Sequence, residues 1–475
     1  MRKSPWATLV VLALAQFMVV LDVTIVNVAL PDMQAALGFS PDNLQWVIST
    51  YTLAFGGFLL LGGRLGDLLG RRGVFSAGLV LFTAASLAGG LATSQWFLVA
   101  ARGAQGFGGA LMSAAALSIL TVTYAAGRER NIALGIWGGL AGLGGTLGVV
   151  AGGVLVDGAG WEWVFFVNVP IGLVLLVLTP GTVSDSRVVA AGPRSFDVGG
   201  AVLGTGAVLA VIYGVIRSEP LGWGSGEVIG SLVAGIALLV LFVVVEARSS
   251  APLVPLRLFR SGSLSRSTIV LALNGGAFLA MFFLTALFLQ QGKGLTALET
   301  GLQFLPMGLA AVVGAMLATQ LLPRFGTRPI QVASAVMALV GLLLLTRATA
   351  DGSYAAELLP GFVLYGLGIM GVGVPAQIAA LSEIEPHDAG AASGIINTGY
   401  QVGGALGLAV ISSLATAVVT SSLETGAAPT AALVDGYERG LLLTATLGLA
   451  ILVLAAASRQ LRPSAAQVAE LATAA

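Results

Sequence analysis

The sequence predicts an all-α protein that is embedded in a membrane. Hydrophobic residues make up 57% of the 475 residues and charged residues only 9%, whereas a soluble protein carries about 25% charge. The mean hydropathy is +0.96. The apolar residues also occur in runs of about 20, the length that a helix needs to cross a bilayer. Together these observations place most of the chain in lipid.

Fourteen apolar segments are predicted to cross the membrane. The first begins near Trp6 and ends near Leu30, just before a proline. It is too long for the apolar region of a signal peptide, so we interpret it as a span. The others follow near residues 45–63, 74–92, 97–120, 132–156, 163–180, 198–216, 228–246, 267–290, 301–321, 330–347, 357–380, 393–418 and 440–458.

The basic residues predict the side of the membrane on which each loop lies. With both termini in the cytoplasm, seventeen Lys and Arg residues fall on the inner side, four fall on the outer side and Arg102 falls within a span. This split fits the positive-inside rule. Polar, proline-containing stretches flank the seventh and eighth spans. We therefore predict a six-helix bundle over residues 1–181, a two-helix insert with linkers over 182–262, and a second six-helix bundle over 263–475.

The composition also argues against several classes of function. The net charge of zero disfavours nucleic acid as a partner. With no cysteine and one histidine, His387, neither a metal site nor a cofactor is expected. The phosphate-binding pattern G-x-x-x-x-G-K-[ST] does not occur, which disfavours ATP-driven transport. No nucleophile–base pair stands out in the spans, so an enzyme is not predicted.

A charged, glycine-rich segment separates the second and third predicted spans. It runs over residues 63–73 as Gly-Arg-Leu-Gly-Asp-Leu-Leu-Gly-Arg-Arg-Gly. It resembles the pattern G-x-L-a-D-r-x-G-r-[RK] between the second and third helices of major facilitator superfamily transporters. The resemblance implies a conformational latch between two bundles, formed on the cytoplasmic side by Gly63, Asp67, Gly70, Arg71 and Arg72. A weaker copy, residues 322–328, follows the tenth span, and internal repeats are typical of transporters.

Asp22 lies in the middle of the first predicted span. A carboxylate there costs about 2.5–3.5 kcal/mol on insertion scales, and intramembrane acids usually mark ion or proton pathways. The alternative is a structural carboxylate that a neighbouring helix satisfies. Residues 21–31, Leu-Asp-Val-Thr-Ile-Val-Asn-Val-Ala-Leu-Pro, resemble the signature L-D-x-T-I-V-N-V-A-L-P of the fourteen-helix drug:proton antiporters. This resemblance implies that Asp22 takes part in proton coupling.

Arg102 is the only basic residue deep within a predicted span. Gln105 lies three residues later and therefore on the same helix face. A buried guanidinium needs an anion, carbonyl groups or water, so Asp22 is a candidate partner. The alternative is that the Arg102 side chain extends to the outer surface. Residues 102–110 resemble the fourth-helix pattern R-x-x-Q-G-x-G-x-A of the antiporters, which implies a role in proton transfer.

The fifth and sixth spans carry two further resemblances to the antiporters. Gly144, Gly148, Gly152 and Gly153 fit the pattern G-x-x-x-G-P-x-x-G-G, with Val149 in place of the proline. A proline kinks a helix, so this helix is expected to be straighter. A generic small-residue packing face is the alternative. Residues 161–172 resemble the pattern W-R-W-x-F-x-x-N-x-P-x-G, with Glu162 in place of the arginine, and we interpret Asn168 there as structural.

Candidate substrate contacts are polar and aromatic residues within the spans. They could equally pack between helices. They are Asn27, Gln105, Asn274, Phe278, Met281, Phe282, Asn397, Tyr400 and Gln401. With Asp22 nearly alone as a mid-span acid, neutral or monocationic lipophilic substrates are expected.

These observations predict a transporter that uses protons as its coupling ion. It would export lipophilic drugs or antibiotics by alternating access, as a monomer in the cytoplasmic membrane of a bacterium. A dedicated exporter of one metabolite or self-made antibiotic is one alternative. A membrane sensor that binds a ligand without transporting it is another.

Overall fold

The computed structural model consists of long helices packed side by side. It describes residues 4–124, 133, 147–184, 198–249, 252, 254–384 and 389–461, and these residues contain no strand. Eleven of the described helices are long and apolar enough to cross a membrane. Three further apolar helices in these ranges are shorter: Trp46–Leu59, Leu147–Ala159 and Val202–Ser218.

The chain order divides the helices into three groups. The first group, called here the N-half, consists of α1 (Pro5–Leu37), α2 (Pro41–Leu44), α3 (Trp46–Leu69), α4 (Arg71–Gly90), α5 (Gln95–Thr123), α6 (described over Leu147–Ala159), α7 (Trp163–Phe166) and α8 (Asn168–Thr182). The second consists of α9 (Val198–Leu221) and α10 (Gly226–Arg248). The third, the C-half, consists of α11 (Gly262–Leu287), α12 (Ala297–Phe325), α13 (Thr327–Leu345), α14 (Leu359–Leu381), α15 (Ala389–Glu424) and α16 (Pro429–Ala456).

Short turns of other helix types extend two of the long helices. A 3₁₀ turn, Leu256–Arg260, precedes α11, and a π-helical turn, Phe288–Gly292, follows it. A second π-helical turn, Tyr354–Leu358, precedes α14. Such turns are frequent at functional sites, and the one after α11 carries two glutamines that contact the N-half.

The bundle has two ends, which are named here from α1. At the near end, where α1 begins, the Thr8 hydroxyl donates a hydrogen bond to the carbonyl oxygen of Thr182 at the end of α8, at 2.9 Å. At the far end, where α1 ends, Gln291 Nε2 donates to Gln34 Oε1 at 2.8 Å. Gln291 follows α11, so α1 and α11 run in the same direction.

The N-half and the C-half repeat one local arrangement. Gly70 alone separates α3 from α4, with φ of 103°, and Gly326 alone separates α12 from α13, with φ of 83°. Both values lie in the region that glycine adopts without strain. The weak sequence copy at residues 322–328 is therefore also a structural repeat.

The helices that follow these glycines also pack alike. A Cβ atom added to Gly78 of α4 would lie 2.6 Å from the backbone nitrogen of Met112 in α5. A Cβ atom added to Gly341 of α13 would lie 2.5 Å from the backbone nitrogen of Tyr365 in α14. Small residues let membrane helices approach at this distance.

Several helices extend beyond the predicted spans. We predicted that the first span ends near Leu30, but α1 continues through Pro31 to Leu37. The second was predicted to end near residue 63, but α3 continues to Leu69, so most of the charged segment is helical. The last was predicted to begin near residue 440, but α16 begins at Pro429. Hydropathy marks the part of a helix in lipid, and the helical hydrogen bonds continue beyond it.

The two helices between the halves have different environments. α9 contacts both α3 of the N-half and α15 of the C-half, and a Cβ atom added to Gly57 would lie 2.2 Å from the Thr205 hydroxyl oxygen. α10 packs on α9 and exposes apolar side chains such as Val233, Ile236 and Val240. α9 therefore lies against both halves, and α10 presents an apolar outer surface suited to lipid.

Candidate functional site: a buried carboxylate network in the N-half

Asp22 is completely buried in the middle of α1, and three side chains donate hydrogen bonds to its carboxylate. Arg102 Nη1 donates to Oδ2 at 2.6 Å. Gln105 Nε2 and Asn168 Nδ2 donate to Oδ1 at 2.6 Å and 2.9 Å. The donors come from α5 and α8, so the carboxylate joins three helices of the N-half.

Arg102 is held by groups from three helices. Its side chain is 1% exposed, so the alternative that it extends to the outer surface is wrong. Its Nε atom donates to the carbonyl oxygen of Val47 at 2.9 Å, and its Nη1 atom also donates to Gln105 Oε1 at 2.6 Å. The guanidinium carbon lies 4.2 Å from the centre of the Tyr51 ring. A desolvated cation over an aromatic face is stabilised by the ring quadrupole.

Gln105 connects the charged pair to α4. Its amide nitrogen donates to the Ser86 hydroxyl oxygen at 2.9 Å, and the Ser86 hydroxyl donates to the carbonyl oxygen of Phe82 at 2.8 Å. Buried polar networks of this kind are stable only when their members find partners. Helices α1, α3, α4, α5 and α8 therefore meet at one polar centre, which we call the Asp22 network.

The chemistry of the Asp22 network depends on the charge of its carboxylate. An ionised carboxylate only accepts hydrogen bonds, and the three donors satisfy both of its oxygens. A protonated carboxyl group must donate from one oxygen, and it no longer balances the guanidinium charge. Binding of a proton would therefore change the contacts of α1 with α5 and α8. The geometry thus makes the contacts between these helices depend on the charge of the carboxylate.

The glycine-rich helix α6 packs against α1 of its own half and against α12 of the C-half. A Cβ atom added to Gly148 would lie 2.1 Å from the Thr24 hydroxyl oxygen of α1, and one added to Gly152 would lie 3.0 Å from Ile25. A Cβ atom added to Gly153 would lie 2.4 Å from the Cα atom of Leu298 in α12. Gly144 lies outside the described residues.

The residue in place of the motif proline also lies at this contact. A Cβ atom added to Gly301 of α12 would lie 2.7 Å from the carbonyl oxygen of Val149 in α6. The small residues on both helices therefore bring the α6 backbone against the α12 backbone, at the junction of the two halves.

Hydrogen bonds join the two halves at the far end. The Asp157 carboxylate accepts from the backbone N–H groups of Ala297 and Leu298, the first residues of α12, at 3.2 Å and 3.0 Å. Gln290 Nε2 donates to the carbonyl oxygen of Val28 at 2.9 Å. Gln45, which immediately precedes α3, accepts a short hydrogen bond from the Ser412 hydroxyl of α15. In this conformation the halves are bound together where α1 ends.

The charged segment lies at the near end. Gly63 falls in the last two turns of α3, Gly70 connects the helices, and Arg71 and Arg72 begin α4. Arg71 is buried and Arg72 is half-buried. Asp67 is in α3, and its side chain lies outside the described part of the structure.

Two of the candidate substrate residues have a buried carbonyl oxygen without a partner. Asn27 donates from Nδ2 to the carbonyl oxygen of Val23 at 2.7 Å, and Asn274 donates to that of Ile369 at 3.3 Å. The Oδ1 atom of each asparagine accepts no hydrogen bond from the described residues. Buried acceptors are normally satisfied, so these two oxygens are available to a donor group.

Gln105 belongs to the Asp22 network, and the remaining candidate substrate residues contact their own helix or a neighbouring one. Phe282 stacks on Phe304 at 4.3 Å between ring centres, and Phe278 lies 5.9 Å from Phe282. Met281 is completely buried, and its sulfur accepts a hydrogen bond from the Thr285 hydroxyl. A second group lies on α15, where Asn397 donates to the carbonyl oxygen of Ser393, the Tyr400 backbone lies against Gly275, and the Gln401 side chain lies against Gly56.

Comparison with known proteins agrees with this geometry. The sequence model of the Major Facilitator Superfamily matches residues 12–408. The chain belongs to this superfamily. The resemblance seen in the sequence motifs is thereby confirmed.

Curated relatives of this superfamily member are named for resistance and export. It is 38% identical over 457 residues to the puromycin resistance protein pur8 of Streptomyces alboniger, covering 95% of this chain and 90% of that protein. It is 40% identical over 413 residues to the cephamycin export protein CmcT of Amycolatopsis lactamdurans, covering 86% and 85%. It is 37% identical over 429 residues to the multidrug resistance protein Stp of Mycobacterium tuberculosis, covering 89% and 78%.

Solved structures show the same fold. An auto-inhibited peptide transporter of the POT family aligns with a TM-score of 0.69 at 15% identity, covering 97% of this chain and 98% of that one. The family model and the names of the curated relatives show that this superfamily member is a transporter and not an enzyme. It is a multi-pass protein of the bacterial cytoplasmic membrane.

Sequence reasoning identified the two charges of the Asp22 network but missed part of its shell. Asn168 was interpreted only as structural, and Ser86 and Tyr51 were not singled out. Asn168 had one available signal, since it is a polar residue within an otherwise apolar stretch at residues 163–180. Ser86 and Tyr51 are ordinary in membrane helices, and only the packing of α3 and α4 brings them to the charged pair.

Proposed function

We propose that this transporter is a proton-coupled antiporter that exports lipophilic antibiotics or drugs by alternating access. The observation that carries the proposal is the Asp22 carboxylate, which is buried and contacted by donors from two other helices. Protonation requires those contacts to change, so one proton can bias the arrangement of the N-half. A substrate that favours the opposite arrangement is then coupled to the proton through a shared equilibrium.

The energy of one proton is sufficient for useful export. A unit charge that crosses a potential of 100 mV gains about 2.3 kcal/mol, which corresponds to a concentration ratio of roughly 50-fold. Protons are the proposed coupling ion, with no cofactor. Arg102 is the proposed partner that sets how readily Asp22 exchanges its proton, with Gln105 connecting the pair to α4.

The proposed substrates are small, lipophilic, and neutral or monocationic. The unpartnered oxygens of Asn27 and Asn274 support this proposal because they would accept hydrogen bonds from hydroxyl, amide or ammonium groups. The aromatic group on α11 supplies apolar contact. The names of the relatives support antibiotics as the substrate class.

The proposed topology has fourteen spans, with both termini in the cytoplasm and the protein acting as a monomer. The eleven long apolar helices and the three shorter ones of the described ranges support this number. The proposed domains are residues 1–181 and 263–475, which rock about a central site, with the insert at 182–262. The near end is then the cytoplasmic end, and the far-end hydrogen bonds hold the outer side closed.

We propose that Gly63, Asp67, Gly70, Arg71 and Arg72 form a latch that holds the near end closed in the opposite conformation. Their position at the near end, beside the glycine connection of α3 and α4, supports this role. Asp67→Asn is expected to lower transport while the protein remains folded. Wild-type turnover by this variant would remove the latch from the mechanism.

The decisive experiment measures substrate-triggered proton release from everted membrane vesicles with an imposed pH gradient. Ethidium and other lipophilic compounds are added to vesicles that contain wild type, Asp22→Asn or Asp351→Asn. Asp351 is exposed in the turn before α14, so its variant is a matched control for the loss of one acid. Release is expected from wild type and Asp351→Asn and not from Asp22→Asn. Equal release from all three would place the proton site elsewhere.

A dedicated exporter of one antibiotic is the second candidate function. It is favoured by relatives named for single compounds, puromycin and cephamycin. Efflux assays with several unrelated dyes and antibiotics separate the two candidates, because a dedicated exporter responds to one compound class. Binding without flux would instead indicate a ligand sensor.

A further inference from the structure

A cavity of about 320 Å³ opens at the near end of the C-half, away from the Asp22 network. It lies between the beginning of α11, the beginning of α13, and the ends of α14 and α16. The C-terminal segment after α16 lies close to it, because the Leu461 carbonyl oxygen accepts from the backbone N–H of Thr327 at 2.8 Å. The cavity therefore lies where four membrane helices reach the bundle surface.

The lining of this cavity is strongly basic. Arg260, Arg266 and Arg459 line it, whereas Glu383 is its only acid among the described residues. The Glu383 carboxylate accepts a hydrogen bond from the Ser261 hydroxyl at 2.9 Å, and Arg266 contacts the carbonyl oxygen of Ala457 at 3.3 Å. Arginine stays charged at all physiological pH values, so the cavity carries an excess of two positive charges.

Two mostly buried polar side chains of the lining make no hydrogen bond to any residue that the structure describes. Gln331 of α13 is 4% exposed and Ser267 of α11 is 7% exposed. No hydrogen bond joins either side chain to another described residue. Both residues line the cavity and are otherwise enclosed by the protein, so their polar atoms are reached from the cavity. Their donors are therefore available to a ligand inside the cavity.

We propose that this cavity is a binding site for a phosphate-bearing anion. Arginine guanidinium groups match phosphate oxygens with two parallel hydrogen bonds, and Gln331 and Ser267 would donate to the same anion from the buried side. The cavity lies at the ends of membrane helices, where basic pockets bind anionic lipid headgroups. The phosphate can belong to an anionic phospholipid or to a soluble phosphate compound.

The test measures thermal unfolding of the purified full chain in detergent micelles by tryptophan fluorescence. Dioleoylphosphatidylglycerol and inorganic phosphate are titrated separately, with dioleoylphosphatidylcholine and sodium chloride as controls. A ligand that binds only the folded protein raises the unfolding temperature with its concentration. We expect such a rise with a phosphate-bearing anion, and about tenfold weaker apparent binding in Gln331→Leu and Arg459→Gln, since each removes a donor to a charged group.

The control variant is Arg347→Gln, which removes an exposed arginine at the far end and changes the net charge equally. It should respond as wild type does. Arg459 is exposed, so Arg459→Gln should fold even if Gln331→Leu does not. A response to phosphatidylglycerol alone identifies lipid as the source, and a response to inorganic phosphate alone identifies a soluble anion. No response, or equal responses in the cavity variants and wild type, would overturn the proposal. The readout requires no transport and is independent of the exported substrate.

Discussion

The side chains of Asp22 and Arg102 form an ion pair that is almost completely removed from solvent, at 0% and 1% exposure. Desolvation of two charges is expensive, and only a complete set of hydrogen bonds compensates for it. Gln105, Asn168 and the Val47 carbonyl group supply hydrogen bonds to the two charged groups. A pair held in this way suits a proton-coupled device, because a change in the charge of one member alters the contacts of all the others.

The energetic dependence of the two charges on each other is testable with a double-mutant cycle. Arg102→Met should destabilise the protein by about 3–5 kcal/mol, since it leaves a buried carboxylate without its cation. The double variant Asp22→Asn with Arg102→Met should recover most of this loss. The measurement is the unfolding temperature and free energy of unfolding in detergent.

The exposed pair Arg217–Glu227 provides the control for this cycle. These side chains are 34% and 43% exposed, so solvent screens their attraction, and Arg217→Met should have a much smaller effect. Additive losses for Asp22→Asn and Arg102→Met would show that the two residues are not coupled.

The sequence predicted the centre of this network but not its whole shell. Asp22 and Arg102 stand out because a charge in the middle of an apolar run is expensive and therefore rare. Gln105 follows from its helical spacing to Arg102. Asn168 lies 146 residues from Asp22 along the chain, and no local pattern connects them. Only the packing of α8 against α1 brings its amide to the carboxylate.

Among the helices, α6 uses its glycines to contact both α1 and the opposite half. Gly148 and Gly152 let α6 pack closely on α1, and Gly153 lets the same helix pack against the backbone of α12. A generic packing face and a specific role both remained open from the sequence. The structure places this face at the junction of the halves, where Gly153 lies against the backbone of Ala297 and Leu298.

Enlarging Gly153 should therefore open the far end. In Gly153→Ala, the added Cβ atom would meet the Leu298 backbone at 2.4 Å, so α6 and α12 must separate. The chain has no cysteine, and Ala297→Cys, at a position 3% exposed at this contact, serves as a reporter. We expect the rate of its labelling by a maleimide to rise roughly fivefold or more. This is the change in the ratio of open to closed far end that a free-energy change of about 1 kcal/mol produces.

Gly158→Ala is the matched control for this experiment. It lies in the same helix, and no atom lies within 4 Å of its added Cβ position. It should leave labelling unchanged. A similar rise in labelling in both variants would mean that the substitution acts on α6 itself and not on its contact with α12.

Hydropathy located the helices well and their ends poorly, for a physical reason. An apolar run ends where lipid ends, but a helix ends where its backbone hydrogen bonds find another partner. α3 thus continues through the charged residues to Leu69 and ends at Gly70, whose positive φ turns the chain. Pro31 falls inside α1 although its position suggested a stop.

At the scale of the whole molecule, the conformation is defined by the contacts that join the halves at the far end. The residues that form them, such as Asp157, Gln290 and Gln45, lie at helix ends and carry no distinctive pattern. A transporter must break such contacts in one conformation and form others in the opposite conformation. Its sequence must therefore be compatible with both conformations. The spacing of apolar and small residues predicts the helices of each bundle. It cannot predict at which end of the molecule the two halves are in contact.

The Asp157 contact allows a test of this closure at one residue. Its carboxylate accepts hydrogen bonds from the first two N–H groups of α12, so it caps that helix from the opposite half. Glu299 and Thr296 cap the same helix from within, through a reciprocal pair of hydrogen bonds. Asp157→Ala and Glu299→Ala therefore both remove an acidic cap from α12, but only the first removes a link between the halves.

Asp157→Ala should raise the labelling of the Ala297→Cys reporter severalfold, whereas Glu299→Ala should not. The loss of either cap weakens the start of α12 by a similar amount, since a capping side chain contributes about 1 kcal/mol. A difference in labelling between the two variants therefore reports the contact between the halves and not the stability of α12. Equal labelling in both would mean that Asp157 stabilises α12 without holding the halves together. The closure would then rest on Gln45, which precedes α3, and on the glutamines of the turn after α11.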